Sequence, residues 1–215
     1  MFLSEIIPPD KSVIVMLAGP NGAGKSTFYE NHLSDIGLPF INAHLLASEH
    51  FGNQEPETAY DAARLAEQIR QHHVENANSF IFETVLSDPV GAKVQFLEDA
   101  KQDRGFFVSV HFIGISSANL SQARVIQRVQ KGGHDVPDEK ISSRFPRTLK
   151  NLQRLLPVAD ELTIYDNSEV ARPHRVVVYL QNGDLSSLSD DIPDWLEFLN
   201  LPSLTKPETT ILNHK

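Results

Sequence analysis

A glycine-rich run near the amino terminus carries the residues with the clearest chemistry. Gly19-Pro20-Asn21-Gly22-Ala23-Gly24-Lys25-Ser26 matches the pattern G-x-x-x-x-G-K-[ST] and stands between an apolar run and a stretch with helical periodicity. Glycines let backbone N–H groups turn inward around a phosphate, and the amino terminus of the following helix adds partial positive charge. Lys25 is predicted to reach the β- and γ-phosphates, and the Ser26 hydroxyl to coordinate Mg²⁺. The predicted ligand is a purine nucleoside triphosphate with Mg²⁺, held by Gly19, Asn21, Gly22, Ala23, Gly24, Lys25, Ser26 and Thr27.

Two other short segments place polar residues where a parallel strand is expected to end. They are Asn42-Ala43-His44 and Glu83-Thr84. Substrates of open α/β sheets bind at the carboxyl edge of the strands, so these residues are candidates for the substrate side of a site. The sequence has no N-K-x-D tetrapeptide, which argues against a GTP switch, and no apolar run ending in Asp-Glu, which weakens transporter-type and motor-type ATPases. The pattern therefore favours a kinase that acts on a small molecule.

Residues 124–154 reverse the acidic charge of the chain. This segment contains eight basic and three acidic groups, so it carries +5 while the rest of the chain carries −14. Four of its arginines have few acids nearby, namely Arg124, Arg128, Arg144 and Arg147. We predict that these four bind the transferring phosphate and stabilise its charge, whereas Lys140, Lys150 and Arg154 belong to a solvated, salt-bridged face.

A glycine pair divides the basic segment. Gly132-Gly133-His134 lies between two helical patterns and is predicted as the hinge of a lid that spans residues 124–150. The residues leave open whether His134 contacts a phosphate, caps a helix or belongs to a flexible joint.

Strand and helix patterns alternate along the chain. Strands are predicted at 12–18, 39–42, 79–83, 106–113, 161–165 and 175–180, and helices at 25–35, 57–77, 88–103, 117–131 and 137–156. This alternation predicts a three-layer α/β domain with a mostly parallel sheet, as in P-loop NTPases and kinases. Residues 1–201 form a single domain in this interpretation, and residues 202–215 form a loosely ordered tail.

Two features concern the second half of the chain. Pro146 interrupts a helical pattern, so either the helix kinks there or a new helix begins with Pro146 in its first turn. A run of large apolar residues predicts a carboxyl-terminal helix packed on the domain, formed around Trp195, Leu196, Phe198 and Leu199.

Composition narrows the function further. The chain has no cysteine, which excludes a disulfide framework, a thiolate nucleophile and a cysteine zinc site. A net charge of −9 disfavours a protein that binds a long nucleic acid or an anionic membrane with its whole surface. The amino terminus lacks the basic region and apolar core of a secretory signal, and no stretch approaches the roughly 20 apolar residues of a membrane span. The sequence predicts a cytoplasmic protein with no structural zinc.

Five segments of the sequence occur in an order and spacing that one family shares. The segments are GPNGAGKST, FINAHLLA, SFIFETVLS, RVIQRVQKGGHDVPDEKISSRFPRTLKNL and YDNS, within residues 12–168. They resemble those of small bacterial zeta-toxin-like P-loop kinases. The resemblance implies a kinase fold, ATP with Mg²⁺, and phosphorylation of a small hydroxylated substrate, which in well-studied members is a nucleotide sugar, UDP-N-acetylglucosamine. It also implies an antitoxin partner, since some members pair with one.

The resemblance also implies roles for single positions. Lys25 and Ser26 correspond to the phosphate and metal groups, and Glu83 to a residue on the substrate side. The arginine block corresponds to the phosphate-binding arginines of the family. Asp166-Asn167-Ser168 corresponds to a segment near the nucleotide base, which makes Asn167 a candidate nucleotide contact.

One position departs from the family pattern. Where such sequences read N-A-D, this chain reads Asn42-Ala43-His44, and the aspartate is the general base that the resemblance implies. An imidazole, whose ordinary pKa is about 6.5, accepts a proton at neutral pH but supplies no carboxylate charge beside Mg²⁺. Three outcomes stay open: His44 is the base, Glu83 or Glu49 replaces it, or nucleotide binds without efficient transfer. The alternatives to a small-molecule kinase are a nucleotide-binding regulatory module and, from the +5 segment, a polynucleotide 5′-kinase.

Overall fold

A computed structural model describes residues 10–50, 56–133 and 135–202. The strands are β1 (Val13–Ala18), β2 (Phe40–Ile41), β3 (Phe80–Thr84), β4 (Phe107–Gly114), β5 (Glu161–Asp166), β6 (Arg175–Gln181) and β7 (Asp184–Leu188). The α-helices are α1 (Lys25–Phe28), α2 (Ala43–His50), α3 (Pro56–Glu75), α4 (Ala92–Arg104), α5 (Ala118–Gln130) and α6 (Asp138–Leu155). The predictions for His134 and for the tail beyond residue 202 lie outside the described residues.

The strands form one sheet in the order β2-β3-β1-β4-β5-β6-β7. The first five in this order are parallel, and β6 and β7 add antiparallel to the edge of β5. This arrangement confirms the predicted mostly parallel sheet. Because β1 lies between β3 and β4, the loop that follows it opens between the ends of its two neighbours.

The alternating residues of β1 face two hydrophobic layers. Ile14 and Met16 pack with residues of α3, α4 and α6. Val15 and Leu17 lie on the other face of the sheet and pack with Phe28 of α1. All six residues of β1 are buried, as expected for a parallel strand covered on both faces. The three-layer α/β domain predicted from the alternation is confirmed.

Two predicted helices differ from the structure, two elements were not predicted, and one of the two alternatives at Pro146 is excluded. The helix predicted at 25–35 is α-helical only to Phe28, continues as a π-turn over Tyr29–Leu33, and ends as a 3₁₀ turn before Gly37, whose φ is +74°. The prediction of a carboxyl-terminal helix is wrong, because only the 3₁₀ turn Asp194–Leu196 forms after Pro193. Two elements that the patterns did not indicate are α2 and β7. Helix α6 runs through Pro146 without restarting.

None of the helices in the described part of the chain is both long enough and apolar enough to cross a bilayer.

A buried histidine gives the fold a pH-dependent stability. His111 on β4 is buried, its Nδ1 lies 3.0 Å from the hydroxyl oxygen of Tyr165, and its Nε2 has no hydrogen-bond partner among the described residues. Burial, and to a lesser degree His32, lowers the pKa of His111 from 6.5 to about 4. Between these two pH values the unfolded chain binds a proton that the folded chain does not. The free energy of unfolding therefore falls as the pH drops from 6.5 toward 4.

We expect His111→Asn to flatten this pH dependence. One proton bound only by the unfolded state changes stability by about 1.4 kcal/mol per pH unit, so the variant should lose about that much slope between pH 6.5 and 5. Chemical denaturation at pH 7, 6 and 5 measures it. His72→Gln, which changes an exposed histidine of α3, is the control and should keep the wild-type slope. An unchanged slope in His111→Asn would contradict this account.

Candidate active site

The loop after β1 forms a backbone cradle that requires glycine. Gly19 has a φ of +146° and Gly24 a φ of +92°, in the left-handed half of backbone space that side chains disfavour. A Cβ on Gly19 would lie 2.1 Å from the carbonyl oxygen of Ile113, and one on Gly24 would lie 2.5 Å from Asn167 Nδ2. The turn therefore closes only with glycine at these positions, and Gly24 leads directly into α1.

Lys25 is buried beneath the cradle. Its ammonium donates hydrogen bonds to the carbonyl oxygens of Gly19 (3.0 Å) and Pro20 (3.1 Å), and its Nζ lies 3.6 Å from Glu83 Oε1. Burial lowers the pKa of Lys25; the Glu83 carboxylate opposes this and Arg128 adds to it. The amine is thus held by acceptors that a phosphate can replace.

Asn42 joins the ends of β2 and β3. Its Nδ2 donates to Glu83 Oε2 (2.9 Å), and its Oδ1 accepts the backbone N–H of His44 (2.8 Å), which makes it the N-cap of α2. His44 is exposed in the first turn of this helix, and Glu49 lies in the last. The structure therefore brings the predicted Lys25, Glu83 and His44 to one edge of the sheet. The sequence made Asn42 a candidate for the substrate side of the site but did not predict its capping of α2 or its bond to Glu83, although an asparagine before a helix is an N-cap signal.

A basic cleft opens beside the cradle. It has a volume of about 450 Å³ and is lined by Gly22, Gly24, Arg124, Gln127, Arg128, Lys131, Gly133 and Asn167. The predicted arginines of α5 thus share a cleft with the glycine-rich loop. Gln127 and Lys131 are lining residues that the sequence patterns did not single out for this role.

Asn167 ties the loop after β5 to the cradle. Its Nδ2 donates to the carbonyl oxygen of Ala23 (2.7 Å), and its Oδ1 accepts the backbone N–H of His174 (3.2 Å). Both ends of this amide are therefore engaged within the protein, and the residue shapes the cleft that it lines.

Helix α5 is fixed against the same loop. The Ser121 hydroxyl donates to the carbonyl oxygen of Asn21 (2.6 Å), and Arg124 Nη2 donates to the carbonyl oxygen of Ser168 (3.3 Å). Burial lowers the pKa of Arg124, and Asp166 partly offsets this. Arg124 is consequently held at the cleft by its own bond to Ser168 and by the anchoring of its helix through Ser121.

Arg144 and Arg147 lie on α6, outside the set of residues that lines the cleft. Neither forms an ion pair with a carboxylate of the described residues, and Arg147 Nε is buried there without a hydrogen-bond partner. Burial, and then the neighbouring Arg147, lowers the pKa of Arg144. Thr148, on the next turn, donates to the carbonyl oxygen of Val85 (2.8 Å). The four predicted arginines therefore form two pairs, one at the cleft and one near the loop that follows Glu83.

A comparison with protein families agrees with this geometry. Residues 4–184 match the family model described as Zeta toxin. The chain belongs to the zeta toxin family. The match covers the cradle, the basic cleft and both pairs of arginines, and it confirms the resemblance that the five sequence segments indicate.

Relatives of this zeta toxin family member are distant. A Haemophilus influenzae protein described as uncharacterized is 27% identical over 132 residues, which cover 61% of this chain and 91% of that protein. A chain of the AvrRxo1-ORF1:-ORF2 complex with ATP is 16% identical, with a TM-score of 0.65, over 83% of this chain and 61% of that one. This chain thus spans less than two thirds of the length of that structure.

The PezAT chromosomal toxin-antitoxin system of Streptococcus pneumoniae also contains a similar chain. It is 17% identical, with a TM-score of 0.56, over 80% of this zeta toxin family member and 73% of the PezAT chain. At these identities the structural likeness shows the fold alone. That fold is the P-loop kinase-like fold that the sequence predicts.

Proposed function

We propose that this protein is an ATP-dependent kinase that transfers the γ-phosphate to a hydroxyl group of a small substrate. The observation that carries the proposal is Lys25, buried under a glycine cradle whose Gly22 and Gly24 line a basic cleft, with its Nζ 3.6 Å from Glu83 Oε1. By the family resemblance the leading acceptor is a nucleotide sugar such as UDP-N-acetylglucosamine. ATP and such acceptors are metabolites of the cytoplasm, which is the proposed compartment.

The residues present fit nucleotide phosphates and Mg²⁺. Gly19 and Gly24 have positive φ, which lets the loop curl into a backbone cradle, and Lys25 lies beneath it. Ser26, exposed in the first turn of α1, would hold Mg²⁺ through its hydroxyl, and Thr27 follows it. Bound Mg²⁺ would neutralise charge on the phosphates. Arg124 and Arg128 would contact the nucleotide side from the cleft.

We propose His44 as the group that accepts the proton of the acceptor hydroxyl. His44 is exposed to an entering substrate, whereas Glu83 has one carboxylate oxygen on Asn42 and the other near Lys25. Glu49 lies in the last turn of α2, at the opposite end of the helix from His44. In the step, the acceptor oxygen bonds to the γ-phosphorus, the bond from that phosphorus to the β–γ bridging oxygen breaks, the proton passes to the imidazole, and ADP leaves.

Glu83 has a positioning role in this scheme. Its carboxylate holds Lys25 under the loop and receives a hydrogen bond from the residue that caps α2. The arginines on α6, near the loop after β3, would bind an anionic group on the acceptor side.

An antitoxin is the proposed protein partner. The PezAT structure is of a toxin-antitoxin system, and AvrRxo1-ORF1 was solved in complex with -ORF2. Co-purification of the tagged chain from its own host, followed by mass spectrometry, tests for a bound protein.

Label transfer tests the proposed reaction. The protein is incubated with γ-labelled ATP, Mg²⁺ and a panel of nucleotide sugars and other hydroxylated metabolites, with single-stranded RNA as a separate arm. We expect label on one small acceptor. Label that passes only to water, with ATP still raising the melting temperature, would instead support the regulatory module, and label on RNA would support a polynucleotide 5′-kinase.

A further inference from the structure

We infer that Trp195 is a positioning residue for the nucleotide side of the cleft. It belongs to residues 189–202, here called the carboxyl-terminal strap, which follows β7 and lies beyond the residues matched by the family model. The inference uses the proposed function only in taking ATP as the ligand. The positioning itself is a property of the protein without nucleotide.

The indole of Trp195 touches the ends of two strands. Its Nε1 donates a hydrogen bond to Asp166 Oδ1 (3.0 Å), the last residue of β5. Its ring lies against the backbone of Gly114, the last residue of β4, where a Cβ would come within 2.0 Å of the ring. Gly114 in turn accepts the backbone N–H of Asn167 (2.9 Å) through its carbonyl oxygen. Trp195 therefore packs directly behind the point where the cleft-lining loop begins.

Asp166 connects Trp195 to the loop that follows β5 through hydrogen bonds. Its Oδ1 also accepts the backbone N–H of Ser168 (3.3 Å), and its Oδ2 lies 3.4 Å from Arg175 Nη2. The carbonyl oxygen of Ser168 then accepts a hydrogen bond from Arg124 (3.3 Å). The indole is thus linked to Arg124 through Asp166 and Ser168.

A second set of contacts connects Asp166 to the glycine cradle. Asn167, which directly follows Asp166, donates to the carbonyl oxygen of Ala23 (2.7 Å). Asp166 is buried. A buried carboxylate that loses a hydrogen-bond donor either moves toward water or shifts toward its remaining donors. Either response displaces Ser168 and Asn167, and with them the contacts to Arg124 and Ala23.

The rest of the strap anchors it to the domain. Leu196 and Leu199 are buried in the core, and the backbone N–H of Asn200 donates to Gln153 Oε1 of α6 (2.7 Å). Leu199 thus contributes packing alone and provides a matched control. Its truncation should weaken the strap without removing a hydrogen bond from Asp166.

Trp195→Phe and Leu199→Ala distinguish positioning from packing. In the nucleotide-free protein, Trp195→Phe should speed amide hydrogen exchange at Asn167 and Ser168 beyond what its loss of global stability explains. Leu199→Ala should lower the melting temperature at least as much and show no such local excess. With ATP, Trp195→Phe should raise the Kd and KM for ATP about three- to tenfold, the range of one ordinary net hydrogen bond, with little change in kcat.

Two results would overturn the inference. One is wild-type exchange at Asn167 and Ser168 in Trp195→Phe, and the other is an excess of the same size in Leu199→Ala. If the wild-type protein binds no ATP, the proposed function fails, while the exchange measurement still decides the role of Trp195.

Discussion

Lys25→Met is expected to lower kcat/KM for phosphoryl transfer by about 100- to 1,000-fold, the effect of removing a preorganised charged donor from a transition state. Methionine keeps the apolar stem of the side chain but cannot bond to the carbonyl oxygens of Gly19 and Pro20 or to a phosphate. The loss should appear mainly in kcat, since charge on the transferring group grows in the transition state. Initial rates with γ-labelled ATP measure it.

Two controls accompany this variant. Lys140→Met removes an exposed lysine from the first turn of α6 and should keep the wild-type rate. The melting temperature of Lys25→Met checks folding, because Glu83 retains the hydrogen bond from Asn42 when its ammonium partner is lost. A folded Lys25→Met protein with more than a tenth of the wild-type kcat/KM would contradict the role of Lys25.

Substitution of His44 is expected to have the second largest effect. His44→Ala should lower kcat by about 100-fold or more, the usual contribution of a general base. The rate should fall as the pH drops below the pKa of the base, because the protonated form accepts no proton. An aspartate ordinarily titrates about 2.6 pH units below a histidine, so His44→Asp should retain transfer and move this acid limb to lower pH.

The pH profile of kcat separates the three candidate bases. Glu49→Gln, at the other end of α2, should leave the profile unchanged. Glu83→Gln should lower the rate but keep the acid limb of the wild type, since the carboxylate positions Lys25. If His44→Ala keeps kcat within about threefold while Glu83→Gln removes the acid limb, Glu83 is the base and the proposal for His44 is wrong.

Local patterns predicted the parts of the site that lie close together in sequence. The apolar run at Val13–Ala18 and the glycines after it indicate a doubly covered strand and a cradle, because the signal for each lies within a few neighbouring residues. Helix α2 escaped prediction because its main signal is one N-cap, Asn42, in front of a short helix with little amphipathic pattern. Strand β7 escaped prediction because it forms by pairing with β6, and its own five residues show no periodicity that indicates a strand.

Contacts between distant residues set the rest of the site. The bond from Asn42 to Glu83 spans 41 positions, and the bond from Trp195 to Asp166 spans 29. The basic segment was predicted as one phosphate-binding group; in the structure its arginines lie on two helices, with those of α5 lining the cleft and those of α6 beside Thr148, which bonds to Val85. Such arrangements follow from strand order and packing, and spacing along the chain does not encode them.

Phosphorus NMR of the wild-type protein with ATP, Mg²⁺ and UDP-N-acetylglucosamine, repeated with a panel of other hydroxylated metabolites, tests the central claim most directly. We predict that the γ-phosphate resonance of ATP declines while ADP and an acceptor phosphomonoester grow in equal amounts, and that none of this occurs with Lys25→Met. ATP that stays intact with every acceptor, or that yields only ADP and inorganic phosphate, would contradict the claim that this protein is a kinase.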